Sequence, residues 1–291
     1  MNDILKELTH IRELYSETGA VDTIITNEFV TCIYNFFDSN YRNLPWRNTS
    51  NAYYILVSEI MLQQTQVSRV IDKYKEFIKI FPTIHALADA DLYDVLSAWQ
   101  GLGYNRRAKY LWECAQAIVF QYNGLIPHDI MELQKLPGLG KATAASVAIF
   151  AYNIPAIYIE TNVRTVYIYS FLYDTAKVSD AAIALLLQQT MDRLNPRKFY
   201  NALMDCGTFI KQHYNASRHS EQYTIQSPFN SSLRKVRGQI IRYLVDKKKA
   251  HKDELVVYLD CDRDKIEKAL HSLCKEKLVC EDNNIYTISR S

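Results

Sequence analysis

Two glutamates and one glycine-rich turn carry most of the chemistry this sequence offers. Glu59 stands in LPWRNTSNAYYILVSEIMLQQTQV (44–67), beside Val57, Ile60 and Leu62. Ser50 or Asn51 is placed to cap a helix through AYYILVSEIMLQQ, which sets Glu59 mid-helix among apolar neighbours. A carboxylate there is either paired, or desolvation raises its pKa and makes it a proton donor. Ser58, Glu59, Gln63 and Gln66 share a side, so a polar surface stripe is the alternative. Glu160 stands in IYIETNVRTVYIYSF (157–171). Thr161 or Asn162 is placed to cap the following helix, so Glu160 lies just before its positive end, where the field keeps a carboxylate ionised. One proton-poised acid and one ionised acid make a pair with separated roles, as glycosidic cleavage uses. A simple helix-start glutamate is the alternative.

The turn is LPGLGKATAASVAIF (136–150). Gly138 and Gly140 let the chain reverse between two helices. Their amides and the dipole of the next helix make a seat for phosphate, with Lys141 alongside. A tight helix–helix turn needs the same glycines for purely structural reasons. Its placement resembles the helix-hairpin-helix of DNA repair proteins.

Helices are the elements that must position these groups. VIDKYKEFIKIF puts Val70, Ile71, Tyr74, Phe77, Ile78 and Phe81 on one face. DLYDVLSAWQ, RAKYLWECAQAIVFQY and TAASVAIFAY have similar spacing, with Asp91 and Thr143 near helix starts as caps. Seven prolines fall between these stretches, as connectors. Strand-like alternation is nearly absent before residue 225, so the fold class is mainly α. A polar stretch at 225–232 reads as a domain boundary. Beyond it, RKVRGQIIRYLVDKK, HKDELVVYL and RDKIEKALHSLCKEK read as three helices, the last with Ile266, Leu270, Leu273 and Cys274 on one face. LVCEDNNIYTIS reads as a hairpin turning at Asp282–Asn284. Three helices and a hairpin is the layout of a winged helix, which contacts DNA or docks a partner.

Composition excludes other classes. With 291 residues, 48% hydrophobic and 23% charged, the chain is neither disordered, collagen-like nor a long coiled coil. No apolar run of about 18 residues spans a membrane, and MNDILKELTHIREL is no secretory signal. The expected location is cytoplasmic and nucleoid-associated. Six cysteines lack any CxxC pair and read as reduced thiols, with no metal site. The net charge is +2, but residues 229–291 hold 14 basic and 10 acidic residues, leaving 20 and 22 elsewhere. This asymmetry is weak support for a nucleic-acid partner. Residues 1–25 are net −3 and amphipathic, which favours packing against the body over DNA contact.

Taken together, these segments resemble the helix-hairpin-helix (HhH-GPD) DNA glycosylases, and most of all the MutY-type adenine glycosylases. The resemblance covers roughly residues 27 to 215. It rests on LPWR, VSEIMLQQTQV, FPTIHALADADLYDVLSAWQGLGYNRRAKYL, LPGLGKATA, ETNVRTV and NALMDCG, in the family's order. It implies a two-lobed helical body: a six-helix lobe at about 47–157 and a second lobe from 26–46 and 158–228. An N-terminal extension (1–25) precedes the body and a small winged-helix domain (229–291) follows it. It implies duplex DNA with a mispaired or modified base as partner, and a flipped base. The family's leaving-group acid falls on Glu59, and the acid that stabilises the sugar cation and attacking water falls on Glu160. Trp46, Arg47, Ala142 and Asn162 match the base pocket. Gln63, Gln64 and Thr65 match the wedge beside the opposing purine, and Leu102 and Tyr104 the probe that fills the stack. Gly138, Gly140 and Lys141 match the phosphate-holding hairpin.

Four features depart from that pattern. The family's aspartate before the NV pair is Glu160, and a shift of about 1 Å costs on the order of a hundredfold. The position of the lyase lysine in endonuclease III-type relatives is Ala142. Lys141 lies about 100° around the helix from it, so the expectation is hydrolysis without a Schiff base. The four cluster cysteines of most relatives fall near Lys211, Arg218, Glu221 and Ser227, so no iron–sulfur cluster and no other cofactor is expected. The KQHYNASRHSEQY segment must then pack by ordinary contacts or remain mobile. Finally, a winged helix stands where MutY proteins carry a Nudix-like domain. The leading reading is a monofunctional glycosylase excising adenine opposite guanine or 8-oxoguanine. The alternatives are a thymine, uracil or modified-base glycosylase, and an inactive binder of distorted DNA whose winged helix recruits a partner.

Overall fold

The computed structural model describes residues 3–224 and 232–289. The expected boundary at 225–232, with Ser227 and Pro228, lies outside the described residues apart from Ser232. In chain order the helices are α1 (Asp3–Thr18), α2 (Thr23–Ser39), α3 (Ala52–Leu62), α4 (Val67–Ile80), α5 (Ile84–Ala88), α6 (Leu92–Ala98), α7 (Arg106–Tyr122), α8 (Ile130–Lys135), α9 (Lys141–Tyr152), α10 (Thr161–Phe171), α11 (Asp180–Thr190) and α12 (Pro196–His213). Then follow α13 (Leu233–Lys247), β1 (Lys249–His251), α14 (Lys252–Leu259), α15 (Arg263–Lys275), β2 (Val279–Asp282) and β3 (Ile285–Ile288). Short 3-10 turns cover Pro45–Arg47 and Ala216–His219.

The chain divides into two compact units, Met1–Ser50 with Lys141–Ile225, and Asn51–Gly140 with Gln226–Ser291. This division differs from the boundaries expected from sequence. Residues 141–157 group with the lobe expected from 26–46 and 158–228, and the C-terminal domain groups with 51–140.

In the first unit α10 packs on α12, and α1 packs on α2 and α10. The amphipathic N-terminal stretch buries Ile4, Leu8 and Ile11. Tyr15 meets Phe171 edge-on at 5.5 Å. Phe29 contacts Phe171 at 5.1 Å and Tyr167 at 5.5 Å, forming an aromatic core. A buried leucine such as Leu8 contributes about 1.5–3 kcal/mol, which holds α1 to the body.

In the second unit α3 packs on α4 and α7, and α6 on α4 and α7. Asn51 caps α3, accepting from Tyr53 N at 2.9 Å and Tyr54 N at 3.3 Å. Trp99 is fully buried against Phe77 and donates to Gly103 O at 3.1 Å. In the first unit Thr143 lies inside α9, so the expected cap there is corrected: the helix already starts at Lys141. The C-terminal domain runs helix–strand–helix–helix–hairpin, with strand order β1–β3–β2, all antiparallel. β1 is an addition to the sequence reading. Asn283 (φ 49°) and Asn284 (φ 63°) are both left-handed, as a two-residue hairpin turn requires. Ile266, Leu270 and Leu273 are buried as expected, and Cys274 is half-buried. Among the described residues no helix is long and apolar enough to cross a membrane.

Candidate functional site

Glu59 is half-buried in α3, between buried Ser58 and Ile60. The helix ends at Leu62, and its last carbonyls have no partner within the helix. Arg107, in the first turn of α7, supplies one. Its Nη1 donates to Ile60 O (2.8 Å), Met61 O (2.8 Å) and Gln63 O (2.6 Å). Its Nη2 donates to Thr65 Oγ1 (2.9 Å), Gly103 O (3.3 Å) and Leu102 O (3.4 Å). One buried guanidinium thus ties the Gln63–Thr65 turn to the Leu102–Tyr104 turn. Burial pulls the Arg107 pKa down to about 10, and the acceptors keep the cation tenable. Its Nε–H is buried without a hydrogen-bond partner.

The two turns differ from what the resemblance implies. Gln64 is exposed on left-handed backbone (φ 55°), an uncommon state for a non-glycine residue. Tyr104 is half-buried, also left-handed (φ 48°). Leu102 is only 2% exposed. The expectation that its side chain probes the stack is therefore corrected for this conformation: Leu102 is core, and Tyr104 is the reachable member of the pair. In the hairpin, Gly138 is required twice over. Its φ is 77°, and a Cβ there would meet Tyr110 Cβ at 2.7 Å. Gly140 has open space around its Cα, so no neighbour in the fold demands glycine there.

In the other unit Glu160 is itself the N-cap of α10, in place of the expected Thr161 or Asn162. Its Oε1 accepts from Asn162 N (2.7 Å) and Val163 N (3.0 Å), and Asn162 Nδ2 donates to Oε2 (3.3 Å). The longer glutamate side chain folds back onto amides that a shorter cap would also reach. Burial raises its pKa, and the two amides oppose that shift without cancelling it. The shift runs opposite to the one that the helix end alone would give: desolvation outweighs the amides. Gly207 of α12 lets the helices approach here, since a Cβ would meet Asn162 O at 2.4 Å. That glycine sets Asn162, and Asn162 sets Glu160.

Arg47 is spent on structure. Its Nη1 and Nη2 reach Asp205 at 2.8 Å each, and Nη1 also donates to Arg42 O at 3.1 Å. Asp205 is buried, so the pair braces the Trp46 turn on α12. Trp46 itself is buried, and Lys141 and Ala142 are exposed in the first turn of α9. The sequence reading missed Arg107, Asp205 and Gly207. All three lie in segments that carry the resemblance, Arg107 in GLGYNRRAKYL and Asp205 and Gly207 in NALMDCG.

The segment after α12 packs by ordinary contacts. Val178 N donates to His219 O at 2.8 Å and Glu221 N to Val178 O at 3.0 Å. His219 Nδ1 lies 3.2 Å from Thr175 O. Lys211, Arg218 and Glu221 are exposed, while Ser227 lies outside the described residues. A lysine, an arginine and one carboxylate are no donor set for an iron–sulfur cluster, and Cys206 is buried within α12.

The family model of HhH-GPD superfamily base excision DNA repair proteins matches residues 57–194. The match spans 138 of the 291 residues, a little under half of the chain. The chain is 38% identical over 173 residues to the adenine DNA glycosylase of Buchnera aphidicola subsp. Baizongia pistaciae, covering 58% of this chain and 48% of that protein. It is 47% identical over 133 residues to that of Mycolicibacterium smegmatis (45% of each) and 33% over 209 residues to that of Mus musculus (68% of this chain, 40% of that one). The expected closeness to MutY-type members is thus met, although the chain spans about half the length of the curated relatives it matches. Among solved structures, a thermostable thymine-DNA glycosylase superposes with TM-score 0.56 at 27% identity, over 62% of this chain and 85% of that one. A trapped endonuclease III–DNA covalent intermediate gives 0.56 at 20%, over 73% and 93%, which speaks to the HhH-GPD fold alone.

Proposed function

We propose that this protein is a monofunctional DNA glycosylase of base excision repair that hydrolyses the N-glycosidic bond of adenine opposite guanine or 8-oxoguanine. The observation that carries the reading is Glu160, a half-buried carboxylate fixed by two main-chain amides and Asn162. Such a group is preorganised to meet positive charge that develops on a sugar, at no reorganisation cost. In this reading Glu59 protonates the departing base and Glu160 stabilises the oxocarbenium-like sugar and orients water. Gln63, Gln64, Thr65 and Tyr104 address the opposing strand, and the Gly138–Lys141 hairpin takes phosphate.

Ala142 supports hydrolysis without a Schiff-base lysine, so borohydride is expected to trap no covalent adduct. The residues at the cluster positions support action without iron, and iron and sulfide analysis of purified protein is expected to find neither. Lys265, Lys268 and Lys275 are exposed on α15 and support a second DNA contact by the C-terminal domain.

The test is single-turnover base release from A·8-oxoguanine, A·G, T·G and U·G duplexes with wild type, Glu59→Gln, Glu160→Gln and Glu160→Asp. Adenine release lost in both glutamine variants is the expected result. Thymine release would instead favour the second reading, which the 27% identity to a thymine-DNA glycosylase supports. Mispair binding without release by any variant would leave a DNA-distortion binder.

A further inference from the structure

Tyr104 lies within reach of two guanidinium groups that come from far apart in the chain. Arg107 stands 5.4 Å from its ring centroid and Arg234 5.5 Å. Arg234 Nη1 also donates to Tyr104 Oη. Arg234 belongs to α13, the first helix of the C-terminal domain, and that helix is fastened to the same unit at several points. It packs on α6. Tyr93 Oη donates to Val245 O at 2.5 Å, 11 residues further along α13 and so roughly 16 Å away. Arg237 holds Glu276 through Nη1 (2.8 Å) and Nη2 (2.5 Å), and Glu276 lies 4.0 Å from Arg106 Nη1. The segment from Tyr104 to Arg107 is therefore held from below by Arg107 and from the side by the C-terminal domain. A left-handed tyrosine costs free energy and persists only where its surroundings over-determine it.

We propose that Arg234 is a positioning residue, through which the C-terminal domain sets the conformation of the Gly101–Arg107 turn and hence the discrimination of mispaired from matched DNA. The functional half of this inference rests on the reading of that turn as a DNA probe. The physical reason is geometric. A forked, always-charged donor carried on a packed helix fixes a phenol in both distance and orientation, which a side chain on a tethered module would not. The domain that follows the glycosylase body is then part of the recognition apparatus.

The test uses the full chain as wild type, Arg234→Ala, Arg234→Lys, Tyr104→Phe and the Arg234→Ala/Tyr104→Phe pair, with two readouts. The first is hydrogen exchange without DNA at two amides of the turn, Leu102 N (bonded to Trp99 O) and Arg107 N (bonded to Tyr104 O). Arg234→Ala is expected to lower their protection about tenfold, the loss of one charge-assisted bond. Arg234→Lys should restore part of it, and Tyr104→Phe should add little to Arg234→Ala. Unchanged protection overturns the positioning role. The second readout is the affinity ratio of A·8-oxoguanine over matched duplex. Arg234→Ala is expected to cut that ratio about tenfold, with matched-duplex affinity held within about twofold. A wild-type preference that survives in Arg234→Ala overturns the inference and leaves the proposed function standing. A wild type without preference overturns the probe reading instead, and the exchange result alone then decides the positioning role. If Arg234→Ala fails to fold, Arg234→Lys against Tyr104→Phe carries both readouts.

Discussion

Glu160 stands at the start of one helix and Arg107 beneath the end of another, and burial disfavours the charge of each. Glu160 is met by the free amides of α10, Arg107 by the free carbonyls of α3. In both, desolvation shifts the pKa against the charged form, up for the acid and down for the base. The two differ in what is left over. Arg107 distributes its two Nη nitrogens over six oxygens belonging to α3 and two turns, so both are committed to the fold. Glu160 accepts three bonds on a carboxylate that offers about four lone-pair sites. The same helix-terminus physics thus builds a brace in one unit and a poised anion in the other.

Glu160→Gln should separate them most sharply. It keeps both amide bonds and removes the charge, so base release is expected to fall roughly 10³-fold, while the melting temperature stays level or rises. A matching loss of stability would mean that Glu160 is a cap like any other. Arg107→Met should do the reverse. It orphans several buried carbonyls at ~1–3 kcal/mol each, partly relieved by water. A loss of about 3 kcal/mol is expected, or roughly 6–12 °C in melting temperature. Arg107→Lys should not rescue it, because a point charge lacks the fork that spans both turns. A melting curve that stays put for Arg107→Met would show that water replaces the guanidinium freely.

What the sequence made legible follows from periodicity. The one-sided apolar spacing of α4 and α15, the Asn51 cap and the Asn283–Asn284 turn each follow from local rules acting on local residues. The rest depends on partners distant in sequence. Arg107 sits in GLGYNRRA, where a charged residue reads as surface. It reads as a brace only once the end of α3 is known to lie above it. Leu102 looks like a probe by motif, yet the turn that leaves Tyr104 half-buried buries Leu102. Glu160 as a simple helix-start cap is the alternative that the sequence offers beside Thr161 and Asn162, and the structure takes it, the glutamate folding back onto the amides of α10. β1, three residues long, has no alternation to detect. Its pairing with β3 creates it.

Gly207→Ala probes the acid through its support. The added methyl has Asn162 O at 2.4 Å and Asn162 Cβ at 2.7 Å, both close to backbone, so α10 and α12 must part. Overpacking of this kind costs about 1–3 kcal/mol. Because the displaced residue is the one that holds Glu160, base release should fall further than stability accounts for at the assay temperature. A variant with the expected melting shift and wild-type turnover would detach Asn162 from the mechanism.

The smallest effect expected is a pH dependence, and its sign discriminates between burial and the helix field. Burial raises the Glu160 pKa above its ordinary 4.5 in the folded protein. A group raised on folding adds stability that is fully present below its unfolded pKa and fades as pH rises through the folded one. The melting-temperature advantage of Glu160→Gln over wild type should therefore be largest at neutral pH and shrink on acidification towards pH 4.5 and below. The acid limb of base release should lie above the usual glutamate range, since protonation discharges the group that meets the sugar cation. If the field of α10 governed instead, both would move the other way: the wild type would gain on the glutamine variant as pH rises from acid, and turnover would persist to pH values below 4.5.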